Sequence, residues 1–395
     1  MIRNLIKPYI EYTINMRRYF HTYPELSGKE INTFKVITEE LQKMNISFER
    51  VGEYGVLGIL ENGTVGKTLV VRADMDALPI MENEYNIHSK RTIMSKNLGI
   101  SHMCGHDCHM AIMLTVAKIL SDNKDMFNGR ILFCFESGEE NGSGVDKMIK
   151  SISRFKIDGV WGIHVYADLP TGMMSVNSGI RMSGSSKFDV TIKGKGGHGS
   201  RPDQTIDPIN CTAQILCNLL SITSRIVDPR ETVVLTIGKL HAGNGANIIP
   251  EESNFAGTIR YYNLDEEKKV KDAFYRIVNN IAGAYECSTD IKYDGPKPPV
   301  INDEKLSKIG EKAIEKAIGK KFLIDIEPWM ASDTIGRYTY RYPGVYAFLG
   351  IKNQDLGSGA PHHNPNFDVD EESLDNGIAA TVQFIIDFFN EDYNS

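Results

Sequence analysis

The sequence has little of several residue types whose abundance marks whole classes of protein. Only six of its 395 residues are cysteine and only ten are histidine. Six scattered cysteines are too few for a disulfide scaffold, so we expect a reducing, cytoplasmic setting. No run approaches the ~18 consecutive apolar residues of a membrane-spanning helix. The N-terminal segment also lacks the apolar core and small-residue cleavage site of a signal peptide.

A surplus of positive charge is also missing. Lys and Arg total 44 against 51 for Asp and Glu, which gives a formal net charge of −7. Nucleic-acid-binding chains normally carry a basic face, so we expect no nucleic-acid partner. Because no apolar run is long enough to span a bilayer, we expect no membrane partner either. Hydrophobic residues make up 41% and charged residues 24% of the chain, which excludes a disordered chain or a rod. A chain of this length predicts two or three domains.

Strands and helices alternate in the first half of the sequence. The apolar runs 56–60, 69–73, 131–135 and 159–165 are predicted strands, and the apolar stretch 107–121 is a predicted helix. Alternation of this kind is typical of an α/β fold in which a mostly parallel sheet carries helices on both faces.

The pattern changes near residue 183. Over 184–297 the predicted elements follow the order β-α-β-β-α-β, which is that of the ferredoxin-like unit. The α/β pattern then resumes to the end of the chain. We therefore predict a catalytic metal-binding domain formed by 1–183 plus 298–395, and a lid or dimerisation domain, 184–297, inserted into it.

The segment Ser101–His109 (SHMCGHDCH) concentrates groups that bind metals. It holds three histidines, two cysteines and one aspartate within nine residues. Thiolate and imidazole are the ligands that Zn²⁺ and similar ions prefer. The spacing Cys104-Gly105-His106 allows two ligands to come from one turn, because glycine lets the backbone bend between them. The alternative, a metal-free loop before a helix, fits this concentration of groups less well.

Further polar residues stand at the ends of predicted strands, where α/β sheets place their ligand sites. They are Asp74, Asp76, Glu136, Glu139, Glu140, His164, His362 and His363. Metal-assisted hydrolysis needs one group that holds the ion and another that moves a proton. The adjacent Glu139 and Glu140 can divide these tasks, one binding metal and the other taking a proton from the metal-bound water.

Together these motifs resemble the N-acyl-amino-acid amidohydrolases of the di-metal aminoacylase group, which includes hippurate hydrolases and auxin-conjugate hydrolases. RADMDALP and CGHD are the most specific of the shared motifs. The matching stretches run in family order over nearly the whole chain: MRRYFHTYPELSGKE (16–30), VVRADMDALPIME (70–82), SHMCGHDCHMA (101–111), ESGEENGSG (136–144), GIHVYADLPTG (162–172), GKGGHGSRPDQTIDPI (194–209), GNGANIIPE (243–251), GTIRYYN (257–263) and HHNPNFDVDEESL (362–374).

The resemblance implies a di-metal exopeptidase-type fold with an inserted lid, and a ligand set for two divalent ions (Zn, Mn, Co or Ni). The implied ligands are Cys104, His106, Glu140, His164 and His363. The family motif places its last ligand two residues before a proline, here Pro365, which selects His363 over His362. Asp76 and Asp107 are implied to orient metal ligands.

The resemblance also implies catalytic and substrate-binding residues. Glu139 would be the general base and acid, and His198 of the inserted domain would stabilise the tetrahedral oxyanion. Asn247 and Arg260 would bind substrate, with the Arg260 guanidinium suited to an α-carboxylate.

The implied function is hydrolysis of the amide bond of N-acyl-L-amino acids, N-acetyl or N-benzoyl for example, by a cytoplasmic enzyme that is often a homodimer. A dipeptidase or aminopeptidase, an N-acetyl-diaminopimelate deacetylase, and a metal-binding protein without activity stay open as alternatives. One departure concerns Glu136-Ser137-Gly138, where the family commonly has Gln-Pro-Ala. We expect the added charge of Glu136 to favour a cationic portion of the substrate.

Overall fold

The structure is a computed structural model, and it describes residues 2–63 and 66–391. The chain divides into two compact units. The first is formed by Met1–Arg181, Ile301–Glu327 and Asp333–Ser395, and the second by Met182–Val300 and Pro328–Ser332. The predicted inserted domain, 184–297, lies inside the second unit, which also takes up the short segment Pro328–Ser332.

The first unit is built on a seven-stranded sheet of the described residues. Across the sheet the strands are Ser47–Val51, Gly55–Asn62, Gly129–Glu136, Lys67–Asp74, Gly159–Pro170, Gly344–Lys352 and Met174–Ser175. The four strands from Gly129–Glu136 to Gly344–Lys352 are parallel, and the outer strands on both sides are antiparallel. The sheet is thus mixed, with its parallel part in the middle.

Helices cover both faces of this sheet, which explains why its central strands read as continuous apolar runs. Successive strand residues point to opposite faces. Trp161 stacks on Phe384 at a centroid distance of 4.1 Å, whereas a Cβ on the neighbouring Gly162 would meet Ile335. The α-helices of the unit are Ile2–Ile6, Ile10–Thr22, Ile31–Lys43, His106–Asp122, Val145–Ile152, Glu304–Ala317, Gly336–Thr339 and Ser373–Asn390. The predicted α/β fold class is confirmed.

The second unit contains a four-stranded antiparallel sheet and two long helices. Across the sheet the strands are Val233–Ala242, Glu252–Tyr261, Gly184–Lys193 and Ser288–Lys297. The helices are Pro208–Ser221, which continues as a π-helical turn Ile222–Ile226, and Leu264–Ala284. In chain order these elements form the predicted β-α-β-β-α-β unit.

Local sequence signals explain where the second unit's helices begin. The side chain of Asp207 accepts hydrogen bonds from the N–H groups of Ile209 and Asn210, and Pro208 occupies the first helical position. Asn263 caps the next helix through the N–H of Asp265. Side chains of the sheet and of both helices pack together into a separate apolar core around Phe188, Phe255 and Phe274.

Two findings concern the scarce features of the sequence. All six cysteines are free thiols, and five of them are buried. In the described part of the chain, no helix combines the length and the apolar character needed to cross a bilayer.

Candidate metal centre

The site lies in the first unit, where the parallel strands end. Asp74 and Glu136 terminate neighbouring strands and stand in register with each other. The turn that carries Cys104 and His106 depends on Gly105, whose φ is 89°. A Cβ at this glycine would lie only 2.3 Å from a methyl group of Val165, so the turn and the strand can approach only with glycine there.

The five predicted ligands fall into two groups that share Cys104. One group is Cys104, His106 and His164, and the other is Cys104, Glu140 and His363. Within each group, one ligand atom per residue lies within 4.8 Å of the others. The Cys104 Sγ is 3.7 Å from Nε2 of His164, and Nε2 of His363 is 3.3 Å from Oε1 of Glu140. A thiolate at this shared position would serve as a ligand in both groups.

Backbone carbonyls determine which nitrogen of two rings carries the proton. Nδ1 of His106 is 2.8 Å from the carbonyl oxygen of Asp76, and Nδ1 of His164 is 2.6 Å from that of Val165. A carbonyl group can only accept, so each Nδ1 is protonated, and in the neutral ring Nε2 is then the nitrogen with a lone pair. This is the tautomer that metal-binding histidines need.

The donor set fits a pair of divalent ions. Nε2 of His106 and Oε1 of Glu140 are buried and find no hydrogen-bond partner among the described residues. Buried polar atoms are rarely left unpaired, and a bound cation would satisfy both. Burial raises the pKa of the Cys104 thiol well above its ordinary value, and a bound cation would favour the thiolate instead. Thiolate, imidazole and carboxylate together are typical ligands of transition-metal ions.

A third group, Asp74, His106 and His109, also has metal-ligand spacing. His109, however, uses both ring nitrogens within the protein. Its Nδ1 lies 2.6 Å from Oδ1 of Asp74, and its Nε2 accepts from the N–H of Val165 at 3.0 Å. His109 therefore ties Asp74 to the backbone beside His164, which makes it a supporting residue.

The adjacent His362 and His363 have different surroundings. Nε2 of His362 accepts from the N–H of Ala167, and burial lowers the pKa of the His362 ring to about 3. His363 has a side chain that is 51% exposed and a positive φ of 64°. A positive φ is uncommon outside glycine and is often found at functional positions. The geometry thus favours His363 as the residue facing Glu140.

Glu139 stands next to the ligand cluster but has its own anchor. Its Oε1 accepts from the N–H of Thr334 at 2.9 Å. Burial raises the pKa of Glu139 well above its ordinary value, and the charges of Asp333 and Glu140 add to the increase. A carboxyl group whose pKa is raised holds a proton more readily and is suited to general acid and base catalysis. Sequence reasoning missed Asp333 and Thr334, because no recognisable motif surrounds them.

Asp76 orients three parts of the cluster. Its two oxygens accept from the N–H groups of Glu139 and Glu140, at 3.1 and 3.0 Å. Oδ1 also lies 3.3 Å from Nδ1 of His106. This one carboxylate thereby fixes the backbone that carries both glutamates and the ring of a candidate ligand.

Asp107 is held on the other side of His106. It lies 3.0 Å from Nε of Arg17 and 2.8 Å from Nδ1 of His21. Burial acts to raise the pKa of Asp107, but Arg17 and His21 lower it well below its ordinary range. Asp107 is therefore a charged anchor that ties the turn carrying His106 to the helix Ile10–Thr22.

The surroundings of Glu136 contradict our expectation that its charge favours a cationic portion of the substrate. Its carboxylate is fully buried and accepts from the Arg72 guanidinium at 3.1 Å and from the Tyr338 hydroxyl at 2.5 Å. It also accepts from the Thr334 hydroxyl. The strand end turns this carboxylate toward Arg72, so its charge is compensated inside the protein and is not offered to a ligand.

The other three predicted residues belong to the second unit. His198 and Asn247 are exposed on neighbouring segments, since His198 pairs with Ile248 in a short antiparallel ladder. Arg260 is half-buried in the strand Glu252–Tyr261 and donates to the Ser332 hydroxyl at 2.6 Å. Within this unit, these three residues keep polar groups available for a ligand.

Known proteins resemble this chain over nearly its full length. Residues 70–387 match the family described as peptidase family M20/M25/M40. Thermostable carboxypeptidase 1 from Saccharolobus solfataricus is 35% identical over 395 residues, covering 99% of this chain and 98% of that protein. N-acetyl-L-cysteine deacetylase from Bacillus subtilis is 33% identical over 362 residues, covering 91% and 84%. The structure of the Bacillus subtilis YXEP protein, described as a dinuclear metal-binding peptidase, superposes with a TM-score of 0.82 at 27% identity, covering 97% and 99%.

Proposed function

This chain belongs to peptidase family M20/M25/M40 and is a metal-dependent hydrolase, and we propose that it cleaves the amide bond of N-acyl-L-amino acids. One observation carries the proposal: Cys104 is shared by two groups of metal-ligand atoms, with Glu139 directly beside them. A relative of similar length is named for removing the acetyl group of N-acetyl-L-cysteine. That reaction is the simplest member of the proposed class.

We assign metal binding to the two groups that share Cys104. Two divalent ions held there (Zn, Mn, Co or Ni) would polarise the scissile carbonyl and acidify the attacking water. The ligands are Cys104, His106, Glu140, His164 and His363.

Glu139 moves the proton in this proposal. The N–H of Thr334 holds one oxygen of its carboxylate, so the other oxygen can take the proton of the attacking water. The same carboxyl group then returns the proton to the leaving amine, which departs as the free amino acid. The raised pKa of Glu139 supports both directions of transfer.

We assign substrate recognition to the second unit. Arg260 donates to the neutral Ser332 and is paired with no carboxylate among the described residues. Its guanidinium is suited to the α-carboxylate of the amino-acid portion. In the same proposal Asn247 binds the substrate and His198 donates to the oxyanion that forms during attack.

Carboxypeptidase action on short peptides is a second candidate. It is favoured by the 35% identity to a thermostable carboxypeptidase over 98% of that protein's length. Both reactions cleave an amide on the amine side of a residue with a free α-carboxylate, so Arg260 would serve either. They differ in the group that precedes the amide, an acyl group or a further amino acid.

We also propose that the protein is a homodimer assembled through its second unit. The strand Val233–Ala242 lies at the edge of its sheet and exposes Val234 and Leu240. The helix Pro208–Ser221 exposes Ile209 and Leu220. Exposed apolar side chains beside an open strand edge are typical of an association surface. Sedimentation equilibrium would measure the mass, and a monomer at micromolar concentration would contradict this assignment.

A substrate panel tests the proposed function. Metal-replete protein would be given N-acetyl and N-benzoyl amino acids, free dipeptides and blocked peptides, with release of the amino acid measured. We expect the acyl amino acids to be cleaved and the free dipeptides to be poor substrates. Preferred cleavage of longer peptides would favour the carboxypeptidase, and metal binding without any turnover would exclude both.

A further inference from the structure

The last residues of the helix Ile10–Thr22 and the segment that joins it to the helix Ile31–Lys43 bury polar side chains to an unusual degree. His21 is 1% exposed and Glu30 is 0% exposed. Connecting segments ordinarily run over the surface, and a buried charged group is unfavourable unless it is paired. Apart from the contact of His21 with Asp107, the segment HTYPELSGKE (21–30) has no part in the proposed mechanism, yet its side chains contact three different segments around the metal centre.

Glu30 holds the turn that precedes the two glutamates. Its Oε1 accepts from the N–H of Gly138 at 2.7 Å, and its Oε2 accepts from the Ser137 hydroxyl at 2.8 Å. Glu139 and Glu140 follow directly in the chain. The carboxylate of Glu30 therefore sets the position from which both of these side chains depart.

Ser27 and the backbone beside it hold Asp76. The Ser27 hydroxyl donates to Oδ2 of Asp76 at 2.6 Å. The carbonyl of Glu25 accepts from the N–H of Ala77 at 2.8 Å, and Leu26 forms a parallel bridge with Ala77. The same segment thus fixes both the side chain of Asp76 and the backbone next to it.

His21 holds the turn that carries the first two ligands. Its Nδ1 lies 2.8 Å from Asp107, and its Nε2 lies 3.0 Å from Glu82. Both partners are carboxylates, so both nitrogens donate and the ring carries a positive charge. Asp107 directly follows His106, and Arg17 reinforces it from the preceding helix turn.

We propose that residues 21–30 are a positioning brace for the metal centre, in which His21 and Glu30 hold two segments that carry ligands and Ser27 holds Asp76, which orients them. This inference rests on the ligand assignments of the proposed function and deepens them. The side chains of the brace act through other residues and are positioning residues. Metal ligands need such support, because loss of an outer hydrogen bond typically weakens metal affinity about 10- to 100-fold.

Glu30 allows a sharp test because Glu25 is a matched control in the same segment. The carboxylate of Glu25 accepts from the N–H groups of Asn32 and Thr33, at 3.1 and 2.8 Å. It therefore caps the helix Ile31–Lys43, and among the described residues its carboxylate makes no hydrogen bond to the segments that carry ligands. Glu25→Ala should lower the melting temperature and leave the metal centre intact.

The experiment is a Co²⁺ titration of metal-free protein, followed by absorption spectroscopy and calorimetry. We expect Glu30→Ala to weaken the binding of at least one Co²⁺ ion about 10- to 100-fold and to alter the absorption bands. Glu30→Gln should recover most of the affinity, because its amide can accept from Gly138 and donate to the Ser137 hydroxyl. Ser137→Ala removes one contact from the other side, and serves if Glu30→Ala does not fold.

Two outcomes would overturn the brace. One is a Glu30→Ala or Ser137→Ala protein with the wild-type Co²⁺ affinity and spectrum. The other is an equal loss of affinity in Glu25→Ala, which would indicate general destabilisation. Because Co²⁺ binding is measured without substrate, a wild-type protein that binds metal but cleaves no acyl amino acid would contradict the proposed function and leave the brace standing.

Discussion

The backbone N–H of Thr334 donates to Oε1 of Glu139 at 2.9 Å, although 195 positions separate the two residues in the chain. This hydrogen bond distinguishes Glu139 from its neighbour Glu140, whose buried oxygen has no such partner among the described residues. Glu139 is anchored by a backbone donor, whereas Oε1 of Glu140 lies 3.3 Å from Nε2 of His363, another candidate ligand. The division of tasks between two adjacent glutamates follows from this difference.

Substitution of Glu139 should separate proton transfer from metal binding. We expect Glu139→Gln to lower kcat about 10²- to 10⁴-fold, the usual contribution of a general base, with metal content unchanged. Glu140→Gln should instead lower the metal content. Elemental analysis and steady-state kinetics on the same preparations would measure both. An active Glu139→Gln protein would remove the role assigned to this residue.

The shared position of Cys104 predicts a difference in metal stoichiometry. Cys104→Ala should lower the affinity for both ions, whereas His363→Ala should lower the affinity for one, because His363 belongs to a single group. Cys108→Ala is the matched control, since this buried thiol lies in neither group. Metal content after dialysis would be measured for each variant, and loss of a single ion from Cys104→Ala would contradict the shared role assigned to Cys104.

His21 should contribute stability that depends on pH. Burial and Arg17 act to lower the pKa of His21, but its bonds to Asp107 and Glu82 raise it above the ordinary value in the folded protein. A raised pKa stabilises the folded state below the unfolded-state pKa of about 6.5, and this stability is lost as the pH rises through the folded-state pKa.

The difference in melting temperature between wild type and His21→Gln measures this contribution. We expect the difference to be largest at pH 6 or below, and to shrink as the solution becomes more alkaline. A difference that stays constant from acid to alkaline pH would show that His21 acts by packing alone.

Glu136 should affect stability and leave substrate choice unchanged. Its carboxylate is compensated by Arg72, so Glu136→Gln should give the same ratio of kcat/KM for N-acetyl-lysine and N-acetyl-leucine as wild type. We expect the free energy of unfolding to fall by about 1–3 kcal/mol, because a charged hydrogen bond is lost in a buried setting. A selective loss of activity on the lysine substrate would restore the expectation derived from the sequence.

Most of the candidate ligands could be predicted because they lie in short sequence motifs of recognisable spacing. Cys104 and His106 flank a single glycine, and Glu139 adjoins Glu140, so the spacing alone indicates groups that act together. His164 was added because a strand was predicted to end beside it, but that strand runs over Gly159–Pro170 and His164 lies within it, opposite Phe348. The family resemblance that rested on these motifs is confirmed by the match over residues 70–387.

The supporting residues could not be predicted in the same way. His21 and Glu30 look like ordinary members of a turn, and Asp333 and Thr334 follow no motif. Whether each reaches the site depends on distances near 3 Å between segments that are far apart in sequence. Hydrogen bonds lose their strength within a few tenths of an ångström, so no spacing rule can decide them.

Taken by itself, the sequence determined the α/β class, the family and the set of groups able to bind metal, because apolar periodicity and ligand type are properties of single residues and short runs. Only the tertiary structure decided where each charge is directed. It turned Glu136 inward to Arg72, placed Oε1 of Glu140 within 3.3 Å of Nε2 of His363, and buried His21 between Asp107 and Glu82. A buried charge needs a partner within hydrogen-bond distance, and the packing of distant segments decides which partner it finds.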